Sequence, residues 1–114
     1  MSLTLQVTHL PAAGPQTSVV VVLAGRLDAV EAVRLRQEFA AALEAGAVLL
    51  VVDLADVRFV DSAGLAALVR ARRDVEAVGG ALILISPTLD EALRVFRLTQ
   101  FDEVFRMVQV RGTF

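Results

Sequence analysis

Ala47 to Val52, AVLLVV, is an unbroken apolar run closed by Gly46 on one side and Asp53 on the other. It is far shorter than the ~20 residues that cross a bilayer, as is the other long apolar run, Val19 to Ala24. A short β-branched run of this kind suits a strand covered on both faces, which is how parallel sheets are built. The flanking segments agree with that reading. From Ala29 to Ala45 the apolar residues Ala32, Leu35, Phe39, Ala42 and Leu43 recur at helical spacing, while Glu31, Arg34, Glu38 and Glu44 lie largely elsewhere. From Leu65 to about Val78 the residues Leu68, Ala71, Val75 and Val78 repeat the pattern, and Ala81 to Ile85 is a further short apolar run. Strand, helix, strand, helix, strand predicts an α/β fold with a parallel core and right-handed crossovers.

The remaining segments extend that core. Leu3 to Val7 alternates apolar and polar residues, Pro11 to Gly14 supplies turn chemistry, and Ser18 to Ala24 is dense in Val, so residues 1–25 predict a hairpin. Gly25 is expected to end its second strand. Arg26, Leu27 and Asp28 then form a short connection, with Asp28 placed to cap the next helix. Gly46 stops that helix, Asp53 to Arg58 reads as a polar connection, and Gly79 and Gly80 end the second helix. Thr88 and Glu91 have the spacing of a capping box before a third helix carrying Leu89, Ala92, Leu93 and Phe96. Val104 to Val110 alternates enough for an edge strand or a frayed extension. The sum is one domain over residues 1–114, with a mixed, mainly parallel sheet of about five strands and three or four helices.

Composition narrows the chemistry. No basic region precedes an apolar stretch at the start, so no secretory signal is read and a cytoplasmic protein is expected, without direct membrane insertion. There is no Cys, and the lone His9 sits on an alternating strand as a surface or edge residue, so neither a metal nor any other cofactor is expected. All 11 basic residues are Arg, which removes Schiff-base lysine chemistry and the P-loop lysine together. A formal net charge of -2 leaves no electrostatic footprint for nucleic acid. Arg70, Arg72 and Arg73 cluster as a solvated helix face or a partner contact.

Between these elements lies Val57 to Ala67, VRFVDSAGLAA, where an apolar strand gives way through Asp61 and Ser62 to a helix. A Ser on such a turn invites comparison with the nucleophile elbow, but that motif needs Gly two positions before the Ser, and Val60 stands there. A Ser nucleophile also needs a base, and the only His is in the first strand. No Gly-rich phosphate loop follows any strand. The chain is therefore read as a non-enzyme with no catalytic residues. Asp61 and Ser62 equally suit plain N-capping, in which a short polar side chain satisfies an exposed amide.

The wider segment Val51 to Leu68, VVDLADVRFVDSAGLAAL, resembles the signature of STAS domains, in particular the bacterial anti-sigma-factor antagonists, with their D-L-x-x-V-x-F-x-D-S-[ST]-G-L pattern. The resemblance covers almost the whole chain. Gly25 to Asp28 resembles the family's G-x-L-D at the end of the second strand, and Gly79 and Gly80 the G-G before the fourth. Phe96 to Phe105, FRLTQFDEVF, is similar to its closing F-x-x-x-G-L-x-x-x-F, except that Gln100 replaces Gly. The resemblance implies that Ser62 is phosphorylated by a partner that is both anti-sigma factor and serine protein kinase, and dephosphorylated by a serine phosphatase. Ala63 stands where a second hydroxyl residue is common. Asp28 is implied to lie near the switch, and Asp61, Ala63, Gly64 and Leu65 are expected to form its switch-adjacent, partner-binding surroundings. Asp53 reads as a strand-end residue.

A phosphoserine carries about -1.5 to -2 charges, and a helix N-terminus tolerates anions, so phosphorylation is expected to leave the fold intact and to act on partner binding. The function implied is partner switching: the unmodified chain binds the kinase and frees its sigma factor, and phosphate on Ser62 prevents binding. Two alternatives stay open. One is an adaptor subunit of an ABC-type lipid transporter that binds the ATPase, and the other a small-molecule sensor with an apolar pocket.

Overall fold

The computed structural model describes residues 4–11 and 17–109. Five strands form one sheet: β1 (Thr4–Pro11), β2 (Thr17–Leu27), β3 (Ala47–Val60), β4 (Ala81–Ile85) and β5 (Arg106–Val108), in the order β1-β2-β3-β4-β5. β1 joins β2 antiparallel, and the four strands from β2 to β5 run parallel. The helices α1 (Ala29–Glu44), α2 (Ser62–Ala77), α3 (Asp90–Leu98) and α4 (Phe101–Val104) make the connections. The turn expected after Pro11 lies outside the described residues, as does Val110; His9 is in β1 opposite Val19.

The core lies between the helices and one face of the sheet. Val19, Val21 and Leu23 of β2, Leu50 and Val52 of β3, and Leu82 and Leu84 of β4 are buried against Leu35 and Phe39 of α1 and Leu68 and Val75 of α2. Side chains alternate across a strand, so Val20, Val22, Val51, Ile83 and Ile85 turn to the other face, where they are only partly buried. Phe96 of α3 closes the core at one end. It meets the Phe105 ring edge to face at 6.3 Å, and Phe105 meets Phe101 in the same way at 6.0 Å.

Three expectations are corrected. Asp53 to Arg58 is not a connection, because β3 runs on to Val60. Leu54, Val57 and Val60 are buried there, and register shifts against β2 place extra β3 residues in bulges. Asp53 is thus mid-strand: it is the last β3 residue paired with β4, and its carboxylate accepts the Ala55 amide at 2.9 Å. Gly25 does not end β2, which continues to Leu27. It takes a φ of 98° between two register shifts, a conformation open to Gly inside a bulged strand. Thr88 does not cap α3. Its hydroxyl and its amide both donate to the Ala55 carbonyl, at 2.8 and 3.2 Å, and Leu89 takes the cap position with no side-chain bond. In the tail, Val104 closes α4 and the edge strand is confined to Arg106–Val108.

Gln100 stands where the related pattern has Gly, and its backbone keeps the left-handed conformation, φ 61° and ψ 18°. A side chain there costs about 1–2 kcal/mol, partly offset by the lower chain entropy of a non-glycine residue. Gln100→Gly is expected to raise stability by about 0.5–1 kcal/mol, read as a higher urea midpoint at unchanged m-value.

Candidate functional site

Two parallel strands that end in register bring two helix starts side by side. Leu27 at the end of β2 pairs with Val60 at the end of β3, and the next residue in each case is an Asp. Asp28 and Asp61 adopt almost the same backbone, φ -109° and ψ -173° against φ -105° and ψ -176°. Each caps its helix from the third helical amide: Asp28 accepts from Glu31 at 3.2 Å and Asp61 from Gly64 at 3.0 Å. The two starts are tied together, since the Asp61 amide donates to the Leu27 carbonyl at 3.2 Å. Gly64 allows the close approach. A Cβ at that position would lie 2.6 Å from the Leu27 carbonyl oxygen.

The caps are separate from the exposed hydroxyl. Asp61 does the capping, leaving Ser62, the first residue of α2, exposed and without a side-chain hydrogen bond among the described residues. Gly64 gives its amide to Asp61 and Leu65 bonds to the Asp61 carbonyl at 3.0 Å. The amides of Ser62 and Ala63 therefore begin the helix without a protein acceptor among the described residues. An anion on Ser62 would sit beside these free donors and the positive end of the helix dipole. Asp61→Ala is expected to cost about 1 kcal/mol through loss of the cap, measured by thermal or urea unfolding, with Ser62 still exposed.

Of the residues expected around the switch, Asp28, Asp61 and Ala63 are partly buried and open at the surface with Ser62. Gly64 and Leu65 are buried, so Gly64 serves by packing on Leu27 and Leu65 by filling the core. Residues behind the site escaped the sequence reading. The Arg26 guanidinium lies over the Phe59 ring, 4.0 Å from its centroid, a surface contact between the ends of β2 and β3. Two aromatic and cationic residues at strand ends were visible, but their pairing depended on the bulged register. Among the described residues no cluster of three or more His, Cys, Asp or Glu could hold a metal, and no helix is long and apolar enough to cross a membrane.

The model of the STAS domain family matches residues 8–113. The chain belongs to the STAS domain family. Solved structures share its fold. This STAS domain superposes on an anti-sigma factor antagonist from Mycobacterium paratuberculosis with a TM-score of 0.77 and 25% identity, over 96% of this chain and 87% of that one. It superposes on the anti-sigma factor antagonist SpoIIAA in its unphosphorylated form at 0.73 and 22% identity, over 95% and 90% of the two chains. For the phosphorylated form of SpoIIAA from Bacillus the values are 0.69 and 21%, over 97% and 93%. Comparison with curated proteins returns no significant match.

Proposed function

We propose that this STAS domain is an anti-sigma-factor antagonist that works by partner switching in the cytoplasm. With Ser62 unmodified it binds a kinase-type anti-sigma factor and releases the sigma factor. A phosphate on Ser62 prevents binding until a serine phosphatase removes it. The observation that carries this reading is the exposed Ser62 at the mouth of α2, beside a cap that Asp61 supplies alone. The fold can therefore accept a phosphate without losing a bond it depends on, so the modification is free to act on the partner. The likeness to SpoIIAA, a protein solved in both phosphorylated and unphosphorylated forms, supports the same reading. Catalysis by this chain plays no part in it.

The test is incubation with ATP and each purified kinase-type anti-sigma factor of the same genome, followed by mass spectrometry. One phosphate on Ser62 is expected from the cognate kinase. A phosphate elsewhere, or none, overturns the proposal and moves the assignment toward a transporter adaptor, which a pull-down of an ABC-type ATPase would then identify.

A further inference from the structure

The sheet has two unlike faces. Its parallel crossovers all step the same way, from β2 through β3 and β4 to β5, so crossovers of one hand stack their helices on one side only. Among the described residues no helix lies on the other side. Val20 and Val22 of β2, Leu49 and Val51 of β3, and Ile83 and Ile85 of β4 stand there in register, half-buried and outside the core cluster. Contiguous apolar surface of this kind marks a contact site, as isolated exposed residues do not.

Two charged residues lie in the part of this face where β3, β4 and β5 run side by side. Asp53 shares a row with Val22 and Ile85, and Arg106 of β5 stands beside Ile83, one row away. The Asp53 carboxylate accepts the Ala55 amide at 2.9 Å, but neither it nor Arg106 has an ion-pair partner among the described residues. Neither the helix caps nor Ser62 makes use of Asp53. Covering the patch with a purely apolar partner would strand its charge, so whatever covers this face has to bring a cation. The chain itself carries one in a matching place.

We infer that the uncovered sheet face packs on the same face of a second copy, with Asp53 of each copy paired to Arg106 of the other. Asp53 and Arg106 lie on opposite sides of β4, beside Ile85 and Ile83. A two-fold axis that lies between the stacked sheets and crosses β4 between these isoleucines exchanges the two positions. One operation therefore makes both ion pairs and packs the isoleucines of the two copies together. Stacked sheets are about 10 Å apart, a gap that an arginine from one and an aspartate from the other span together. The patch is about 15 Å across from β2 to β5 and roughly 17 Å along the strands, small beside the ~800 Å² per partner of a stable interface, so the dimer is weak and concentration-dependent. α2 packs on the opposite face, which leaves Ser62 of both copies outside the contact, and the inference stands whether or not Ser62 is a switch.

The test is sedimentation equilibrium of the full chain over two decades of concentration, about 10 μM to 1 mM, for wild type, Asp53→Arg and Arg106→Asp, each alone and the two variants mixed in equal amounts. Wild type is expected to show a monomer–dimer equilibrium. Each variant alone sets like charges against each other twice and is expected to dimerise at least tenfold more weakly. In the mixture both pairs again join opposite charges, and the dimer is expected to return. Asp53→Asn keeps an oxygen for the Ala55 amide and removes only the charge, so if Asp53→Arg does not fold, it and Arg106→Asp carry the test, each weakening the dimer while melting like wild type. A wild type that stays monomeric throughout, a dimer indifferent to these variants, or a mixture of folded variants that does not recover it overturns the inference.

Discussion

Ser62→Asp is expected to bind the kinase-type anti-sigma factor at least tenfold more weakly than wild type while melting at the same temperature or slightly above it. The opposite signs come from one location. Within the folded chain a carboxylate at the first position of α2 meets the positive end of the helix dipole, worth about 0.3–1 kcal/mol at low ionic strength, less the repulsion from Asp61. Under the proposed switch the same charge loses water at the interface, which the two free α2 amides and the helix dipole replace only in part. A full phosphoserine, with nearly twice the charge, is expected to cost on the order of 3 kcal/mol, about 100-fold in Kd. Ser62→Ala removes no hydrogen bond seen among the described residues, so its stability is expected within about 0.5 kcal/mol of wild type, with binding that ATP and kinase no longer abolish. Calorimetric titration and thermal melts of the same samples separate the two effects. A Ser62→Asp variant that loses binding only in proportion to lost folding would contradict the mechanism.

Gly64→Ala is expected to be the more damaging change to the fold. The added methyl would lie 2.6 Å from the Leu27 carbonyl oxygen and 2.7 Å from the Leu27 Cγ. The nearer obstacle is main chain at the end of β2, held by the bond from the Asp61 amide, so no rotamer change relieves it. Relief requires α2 to back away from β2, which disturbs the Asp61 bond and the register of the two helix starts. The expected loss is about 3 kcal/mol, at the upper end of overpacking costs, or roughly 10 °C in Tm for a chain of this size. Thermal and urea unfolding check it, and a variant that melts with wild type would show that the two starts are less tightly fastened than their geometry indicates.

Much of the architecture was readable because local pattern and global packing agreed. α1 and α2 carry their apolar residues at helical spacing, β4 is a short unbroken apolar run, and Asp28 caps the helix it precedes. The second half of β3 was hidden for the opposite reason. Its buried residues Leu54, Val57 and Val60 are spaced by three, which is not the period of a regular strand, because the bulges add residues between them. Thr88 was misread because a partner 33 residues away, the Ala55 carbonyl, outcompetes the helix start for its hydroxyl. At the site, Ser62, Asp28 and Asp61 were legible as residues. The burial of Gly64 and Leu65 was not, since it depends on how closely two strand ends approach.

The bulged continuation of β3 also bears on self-association. From Leu54 to Val60 the strand has β2 on one side and no β4 on the other, so seven residues of main chain form an edge that a foreign strand could extend. Three devices blunt it: the irregular register prevents a flat template, Asp56 and Arg58 put exposed charges along it, and Thr88 occupies the Ala55 carbonyl. These features disfavour strand addition along the edge that leads to Ser62.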